Sequence, residues 1–360
     1  MRILFLVFLF MLTAVLAVAT LVPLIETNIW WIRYMDFIRL QLSVMLIAVL
    51  VLAVIVVLTG GGKKVGAAIA VVCVGLLGYH AYRLYPYSPV IAPMAAEVAS
   101  CPENATVTLM SSNVKRGNRD IQKFMDVLDM ADPDLLFVME TDAWWDDALK
   151  PLEARYANAV QQIPDGDTFF GLHFFSRLEL IEPETIAYFD AVTPTVQSRI
   201  VAPNGSEFSF MGLHPRPPQS FDQPTTMRDG HIAQMAFHAE NTAAPLVAAG
   251  DFNAVSWERI VRRAMRVGGL LDPRVGRGVI PTYDAHNLVM AWPLDHVLFQ
   301  DEIGLVSFER LPDVGSDHYP ILATLCIGDG TAPRQSAPSI EAGDREELHQ
   351  AIDAAQAMKS

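Results

Sequence analysis

Polar residues of a particular kind stand at the tips of apolar runs along this chain. Asn113 follows "TLMSS", Glu140 follows "DLLFVM" and His214 follows "FSFMGL". Asp251 and Asn253 follow "PLVAAG", Asp295 opens "DHVLF", and Asp317 and His318 precede "YPILATL". Carboxylates are hard oxygen ligands suited to Mg²⁺ or Mn²⁺. A histidine paired with a carboxylate is held in its charged form and can bind an anion. Asn supplies both a donor and an acceptor. Together these are the parts needed to hydrolyse a phosphate ester: an oriented water, stabilised developing charge and a protonated leaving group. Taken singly, an Asp or Asn at a strand end is usually a turn former. Six separate segments, each with such residues at one of its ends, point instead to one shared rim.

The Asp317–His318 pair sharpens the geometry. Inside a strand, neighbours point to opposite faces. The pair therefore belongs at a strand mouth, where both side chains can reach one cleft. Asp251 and Asn253, two residues apart, project to the same side of an extended segment.

The elements that must position these residues are legible from periodicity. Strands are predicted at "TVTLMSSNV", "DLLFVMET", "FFGLHFFSRLEL", "EFSFMGLH", "PLVAAGDFNA", "LDHVLFQ" and "YPILATL", with "RIVAPNG" leading into the fourth. Helices are predicted at "RDIQKFMDVLDMADP", "DDALKPLEARY", "TTMRDGHIAQMAFHAENT" and "WERIVRRAMRVGG". Strands alternate with helices early and cluster later. That pattern predicts one large α/β domain of about 225 residues, with layered sheets flanked by helices.

In their order and placement, "SSNV", "FVMET", "FSRLEL", "GLHPRPP", "AAGDFNAV", "PLDHVLF" and "GSDHYPIL" resemble the endonuclease/exonuclease/phosphatase superfamily, with its deoxyribonuclease-I-like layered β-sandwich. The resemblance covers roughly residues 105–327. It implies Glu140 as the principal metal ligand, with Asn113 beside it on metal or phosphate. It implies that Asp251 orients or deprotonates the attacking water, that Asn253 holds that water or a phosphate oxygen, and that Asp295 pairs with His318 on the phosphate. Asp317 would face metal or leaving group, and His214 would act as a donor or general acid. Arg177 matches the Ser-Arg position of the family and is either structural or phosphate-facing. Lys115, Arg116 and Arg119 form a basic cluster that is either a solvated loop or a phosphate contact. His173 reads as a strand histidine, His231 and His238 lack a carboxylate at ligand spacing, and His296 points away from the cleft. Trp144 and Trp145 are either core or rim residues.

Composition places the domain on a membrane. Hydrophobic residues make up 52% of the chain and mean hydropathy is +0.28, above the roughly 45–50% apolar content of soluble proteins. The excess lies in Ile3–Val22, Leu40–Leu58 and Val65–Tyr82, each near the ~20 residues a helix needs to cross a bilayer. The expected organisation is three transmembrane helices over 1–84, a linker over 85–104, the catalytic domain over 105–327 and a flexible tail over 328–360. Lys63 and Lys64 in the second loop favour the cytoplasmic side. This puts the N-terminus in the cytoplasm and the domain outside it, on the periplasmic side of a bacterial inner membrane. There an inter-cysteine bridge from Cys101 to Cys326 is allowed, the alternative being two inert thiols.

Residues 1–99 hold six Lys/Arg and three Asp/Glu, which leaves 20 and 37 beyond, a net of −17. Such a domain is poorly steered toward polyanions. The reading is a membrane-anchored, divalent-metal-dependent phosphoesterase acting on a phospholipid or small phosphoester. The alternatives are an extracytoplasmic nuclease and, with less support, an inactive binding module. No protein partner is inferable.

Overall fold

The computed structural model describes residues 2–164, 166, 168, 170–328 and 330–358, arranged as two units. The first comprises Met1–Ser88 with Gln219–Thr225. Its helices are α1 (Arg2–Leu21), the single turn α2 (Trp30–Arg33), α3 (Arg39–Leu58) and α4 (Lys63–Leu84). Three helical segments, Arg2–Leu24, Arg39–Leu58 and Lys63–Tyr87, are long and apolar enough to cross a membrane. Leu9, Leu16, Leu46, Ala53, Ile69 and Cys73 pack together inside the bundle, while Ile3, Phe8, Val44, Val71 and others stay exposed. Outward apolar side chains are what a lipid-facing surface requires.

The second unit is a two-sheet sandwich. One sheet runs β11 (Gly304–Arg310), β12 (Ile321–Cys326), β1 (Thr106–Asn113), β2 (Leu135–Thr141), β4 (Gly171–Ser176), β3 (Asn158–Gln162). The other runs β5 (Glu179–Ile186), β6 (Thr195–Val201), β7 (Glu207–Leu213), β8 (Leu246–Asp251), β10 (Asp295–Gln300), β9 (Leu270–Leu271). β1–β2 and β7–β8 are parallel, and the remaining pairs are antiparallel. The inner faces meet in an apolar layer that includes Leu109, Phe137, Val247 and Val297. Phe174 stacks on Phe210 at 4.3 Å between ring centroids, and Phe137 meets Phe210 edge-on at 6.0 Å.

Helices cover both outer faces. α5 (Ile121–Ala131) and α6 (Ala143–Leu149) lie over the first sheet through Phe124, Leu128, Trp145 and Leu149. Each starts on an Asp: the Asp120 side chain accepts from the Lys123 amide at 3.2 Å, and that of Asp142 from the Trp145 amide at 3.0 Å. α7 (Thr226–Asn241) and α8 (Arg259–Gly268) cover the second sheet, and α8 stops at Gly269 in the left-handed conformation.

Three features differ from the sequence-based expectation. The predicted strand "FFGLHFFSRLEL" is broken at Arg177 into β4 and β5, which belong to different sheets. Part of the supposed linker is domain: Ala95 is in the core, and the Val98 amide donates to Leu305 O at 2.8 Å. The tail is not a loose end. Residues Asp344–Ala357 form α9, which buries Leu348, Ile352 and Ala355 against α7 and α8. Asp344 receives Arg266 Nε and Nη2 at 2.6 Å each. Helical spacing of Leu348, Ile352 and Ala355 gave that apolar stripe, and its docking on the α7–α8 face offsets the ordering entropy that would otherwise fray it.

Leu348→Ala should therefore destabilise the protein by roughly 2–5 kcal/mol. Thermal or denaturant unfolding reads this, and an unchanged midpoint would restore the flexible-tail expectation.

Candidate active site

Strand direction gathers the predicted residues at one rim. Asn113 ends β1, Glu140 lies near the end of β2, His214 follows β7 and Asp251 ends β8. β10 runs the other way, so Asp295 enters it directly opposite Asp251 across the ladder. Asp317 and His318 lie just ahead of β12, which is antiparallel to β1.

Backbone irregularities aim the side chains. The β2–β4 register shifts between Met139 and Thr141, so Glu140 bulges out of the ladder. Glu140, Asn253 and Lys115 all hold positive φ, a conformation that costs a non-glycine residue energy and clusters at functional sites. Gly250 has φ +140°, and a Cβ there would stand 2.0 Å from Leu213 O. Only glycine lets β8 lie this close to β7 one residue before Asp251.

The site closes around Asp251. Its Oδ2 lies 3.2 Å from Asn113 Nδ2, 3.5 Å from His318 Nε2 and 3.7 Å from His214 Nε2. Its Oδ1 accepts from the Asn253 amide at 2.9 Å. Asn113 Nδ2 also donates to Glu140 Oε1 at 2.9 Å, and the Arg116 amide donates to Glu140 Oε2 at 3.3 Å. His318 Nδ1 pairs with Asp295 Oδ2 at 2.8 Å. The Asp295 amide donates to Thr282 Oγ1 at 3.1 Å, and the Tyr283 ring lies 4.9 Å from that of His318.

Burial and charge set the proton inventory. Burial opposes charge on His318, but Asp295 and Asp251 outweigh it and push the imidazole up to about 10. Burial likewise opposes charge on Asp295, yet His318 holds its carboxyl below the ordinary value. Asp251 goes the other way. Burial dominates and raises it to about 6, although His318 and His214 oppose the shift. The rim thus contains a charged imidazole, a charged carboxylate behind it and a carboxylate that titrates near neutrality.

Several expectations are corrected. Asn113 does not present an oxygen to the cleft: its Oδ1 accepts the Lys115 amide at 3.0 Å, so the amide nitrogen faces the two carboxylates. Asp317, expected to face metal or leaving group, pairs with Lys115 Nζ at 2.8 Å. Arg177 is not phosphate-facing. Its amide donates to Asp134 O at 3.0 Å, its guanidinium pairs with Asp132, and it lies over Tyr156. That is the start of β2, a strand length from Glu140, or roughly 20 Å at ~3.3 Å per residue. Of the basic cluster, Lys115 holds Asp317 and Arg119 holds Asp142 at 2.6 Å, while Arg116 lends the cleft its backbone N–H. Asn253 meets the site through its amide, because its side chain donates to Pro215 O at 3.0 Å.

His173 is buried between Thr141 Oγ1 at 3.0 Å and Asp146 at 3.1 Å, and His296 Nε2 donates to Ala254 O at 2.8 Å. Trp145 is core, and Trp144 stands at the surface under Arg119, 4.8 Å from its ring.

Sequence reasoning missed Arg228. It is fully buried in α7, donating from Nη1 to Asn253 O at 2.8 Å and from Nη2 to Glu258 Oε1 at 2.5 Å. It thereby clamps the strained residue that caps Asp251. An arginine among the apolar positions of "TTMRDGHIAQM" was the available signal.

The profile of the Endonuclease/Exonuclease/phosphatase family matches residues 110–318. The chain belongs to that family. No curated protein matches it. Among solved structures, zebrafish (D. rerio) TDP2 complexed with a single-strand DNA product is 17% identical, with a TM-score of 0.52, over 61% of this chain and 99% of that one. The mannosyl-6-phosphatase of Bacteroides thetaiotaomicron is 16% identical with a TM-score of 0.51, over 61% and 100%. An endonuclease/exonuclease/phosphatase protein of Beutenbergia cavernae is 16% identical with a TM-score of 0.51, over 62% and 72%. At these identities the likeness establishes the fold, a deoxyribonuclease-I-like sandwich.

Two outcomes follow from the placements. Arg177→Ala should leave phosphoesterase turnover unchanged and cost stability by only about 1 kcal/mol, as a half-exposed ion pair does; a loss of turnover would return Arg177 to the site. His296 is lowered to about 4 by burial and by Arg274. Unfolded His takes up a proton near 6.5 while folded His296 does not, so stability is lost as pH falls from about 6.5 to 4. His296→Gln should flatten that limb of the pH–stability curve, and parallel curves would contradict the assignment.

Proposed function

We propose that this protein is a membrane-anchored, divalent-metal-dependent phosphoesterase whose catalytic domain lies outside the cytoplasm. The observation that carries the reading is the convergence on Asp251 Oδ2 of Asn113, His214 and His318, with Asp295 behind His318. This arrangement supplies a base with a donor on either side, which is what in-line attack of water on phosphorus needs.

A divalent cation fits the donor set. Glu140, Asp251, Asp295 and Asp317 place four carboxylates around the cleft, opposed by His318 and Lys115. An anionic phosphoester cannot approach such a surplus without added positive charge. Glu140, bulged from its strand with a partly exposed carboxylate, is the residue that would hold Mg²⁺ or Mn²⁺. When bound, the ion polarises the phosphoryl oxygen and offsets its charge. Asp251, Asp295 and His318 also lie close enough to be a metal site by composition. An imidazole protonated on both nitrogens has no lone pair to give, however, so those three serve better as a proton and anion relay.

The chain's own residues supply the rest. Asp251, raised toward neutrality, takes the proton of the attacking water, and the Asn253 amide holds its other oxygen still. His318 and His214 aim Nε2 at the same volume and donate to phosphate oxygens, while Asp295 keeps the His318 ring in register. Asn113 binds the Glu140 and Asp251 carboxylates together. Lys115, neutralised in part by Asp317, is a rim contact for phosphate; Arg116 offers an amide there.

Orientation rests on two features. Lys63 and Lys64 favour the cytoplasm, and Cys101 is bridged to Cys326, a bond that persists in oxidising compartments. The net charge of −17 beyond residue 99 favours a phospholipid or small phosphoester over nucleic acid.

Glu140→Gln should abolish Mg²⁺- or Mn²⁺-dependent hydrolysis of bis(p-nitrophenyl) phosphate with little change in melting temperature; retained turnover would remove Glu140 as the ligand. A panel of plasmid DNA, RNA, sphingomyelin and phosphoinositides then separates the lipid reading from the nuclease reading. His318→Ala should lower kcat by about 100-fold or more with little change in KM, and a change confined to KM would exclude the proposed role. Protease added to intact cells should reach the domain; protection would reverse the topology.

A further inference from the structure

Between Thr282 and Leu294 the chain makes a short excursion from the site. Its base is anchored there. The Tyr283 ring lies 4.9 Å from His318 and stacks on Trp292 at 6.0 Å. The Ala285 amide donates to Asp317 O at 2.8 Å, and Tyr319 Oη donates to Ala285 O at 3.1 Å. The tip of the loop is apolar: Leu288, Val289 and Met290 are 100%, 69% and 39% exposed.

The polarity of this loop is inverted relative to a solvated one. Asp284 and Asn287 turn onto the loop's own backbone, and His286 Nδ1 lies 3.3 Å from Asp284 Oδ1. Asp284 accepts from the His286 amide at 2.8 Å, and Asn287 Oδ1 accepts from the Val289 and Met290 amides at 2.9 Å each. Three consecutive apolar side chains are thereby presented outward on an internally hydrogen-bonded turn. Runs of exposed apolar residues are costly in water unless a partner covers them.

We infer that Leu288–Met290 is a membrane-contact tip, which enters the interfacial layer of a lipid bilayer beside the mouth of the site. The occupant is lipid because this chain carries three helices of bilayer length, which keep a lipid surface at high effective concentration. The tip itself carries no charge to oppose entry among the acyl chains. The inference goes beyond the proposed hydrolysis, and its test does not depend on turnover.

The full chain carries one free cysteine, the buried Cys73, besides the Cys101–Cys326 bridge. Leu288→Cys in a Cys73→Ala background therefore gives one labelling site for an environment-sensitive NBD thiol reagent. After reconstitution in phosphatidylcholine vesicles, doxyl-labelled lipid should quench the probe by about two-fold or more, and iodide should not reach it. Adding Val289→Asp should reverse that pattern. Iodide quenching without lipid quenching overturns the inference. So does protection from both quenchers, because a second protein then covers the tip. Lipid quenching in a chain that fails to hydrolyse any phosphoester would leave the loop assignment standing and remove the hydrolase reading instead.

Discussion

The site depends on a single rung of the second sheet. β8 and β10 pair so that two buried carboxylates, Asp251 and Asp295, face each other at the rim. Two desolvated negative charges this close are mutually unfavourable, and each is costly alone. His318, delivered from the other sheet, resolves the conflict. Its ring reaches Asp295 at 2.8 Å and Asp251 at 3.5 Å, and its proton holds the arrangement together. The two distances are unequal: Asp295 is hydrogen-bonded to the imidazole, while Asp251 stands further from it. Everything else at the rim, from the Asn113 amide to the Arg228 clamp on Asn253, steadies that arrangement.

The cleft is electrically unusual for a phosphate site in that its own charges are predominantly acidic. The basic groups nearest to it are engaged: Lys115 with Asp317 and Arg119 with Asp142. The positive charge that faces the cleft is that of the His318 imidazole, set between Asp251 and Asp295. A net charge of −17 beyond residue 99 extends the acidic balance to the whole domain, and such a charge does not attract a polyanion at long range.

The rim was legible in the sequence because strand tips are local features: an apolar run followed by Asn, Glu, His or Asp reads the same in one dimension as in three. Asp317 and His318 could be placed at a strand mouth because neighbours within a strand face opposite ways. What failed to show were properties fixed by partners distant in sequence. Arg177 carries a family-like motif, yet Asp132 and Tyr156 hold it at the far end of the sheet. The orientation of Asn113 depends on the Lys115 amide, and the choice of Asp317 on where the Lys115 side chain lands. α9 was read as part of a flexible tail, because the α7–α8 face that receives it is remote in sequence. Arg228 was passed over despite its apolar surroundings in sequence, because an arginine in a helix is ordinarily a surface residue.

The order of strands in the first sheet has a bearing on biogenesis. β1, one of the first strands to be made, has β12, one of the last, as its neighbour. Until some two hundred further residues have been synthesised, that flank of β1 is an open edge, a template for mispairing. Emergence of the nascent chain and sealing of the sheet are thus separated in time, and a cell has to shield the interval with a holdase or outrun it.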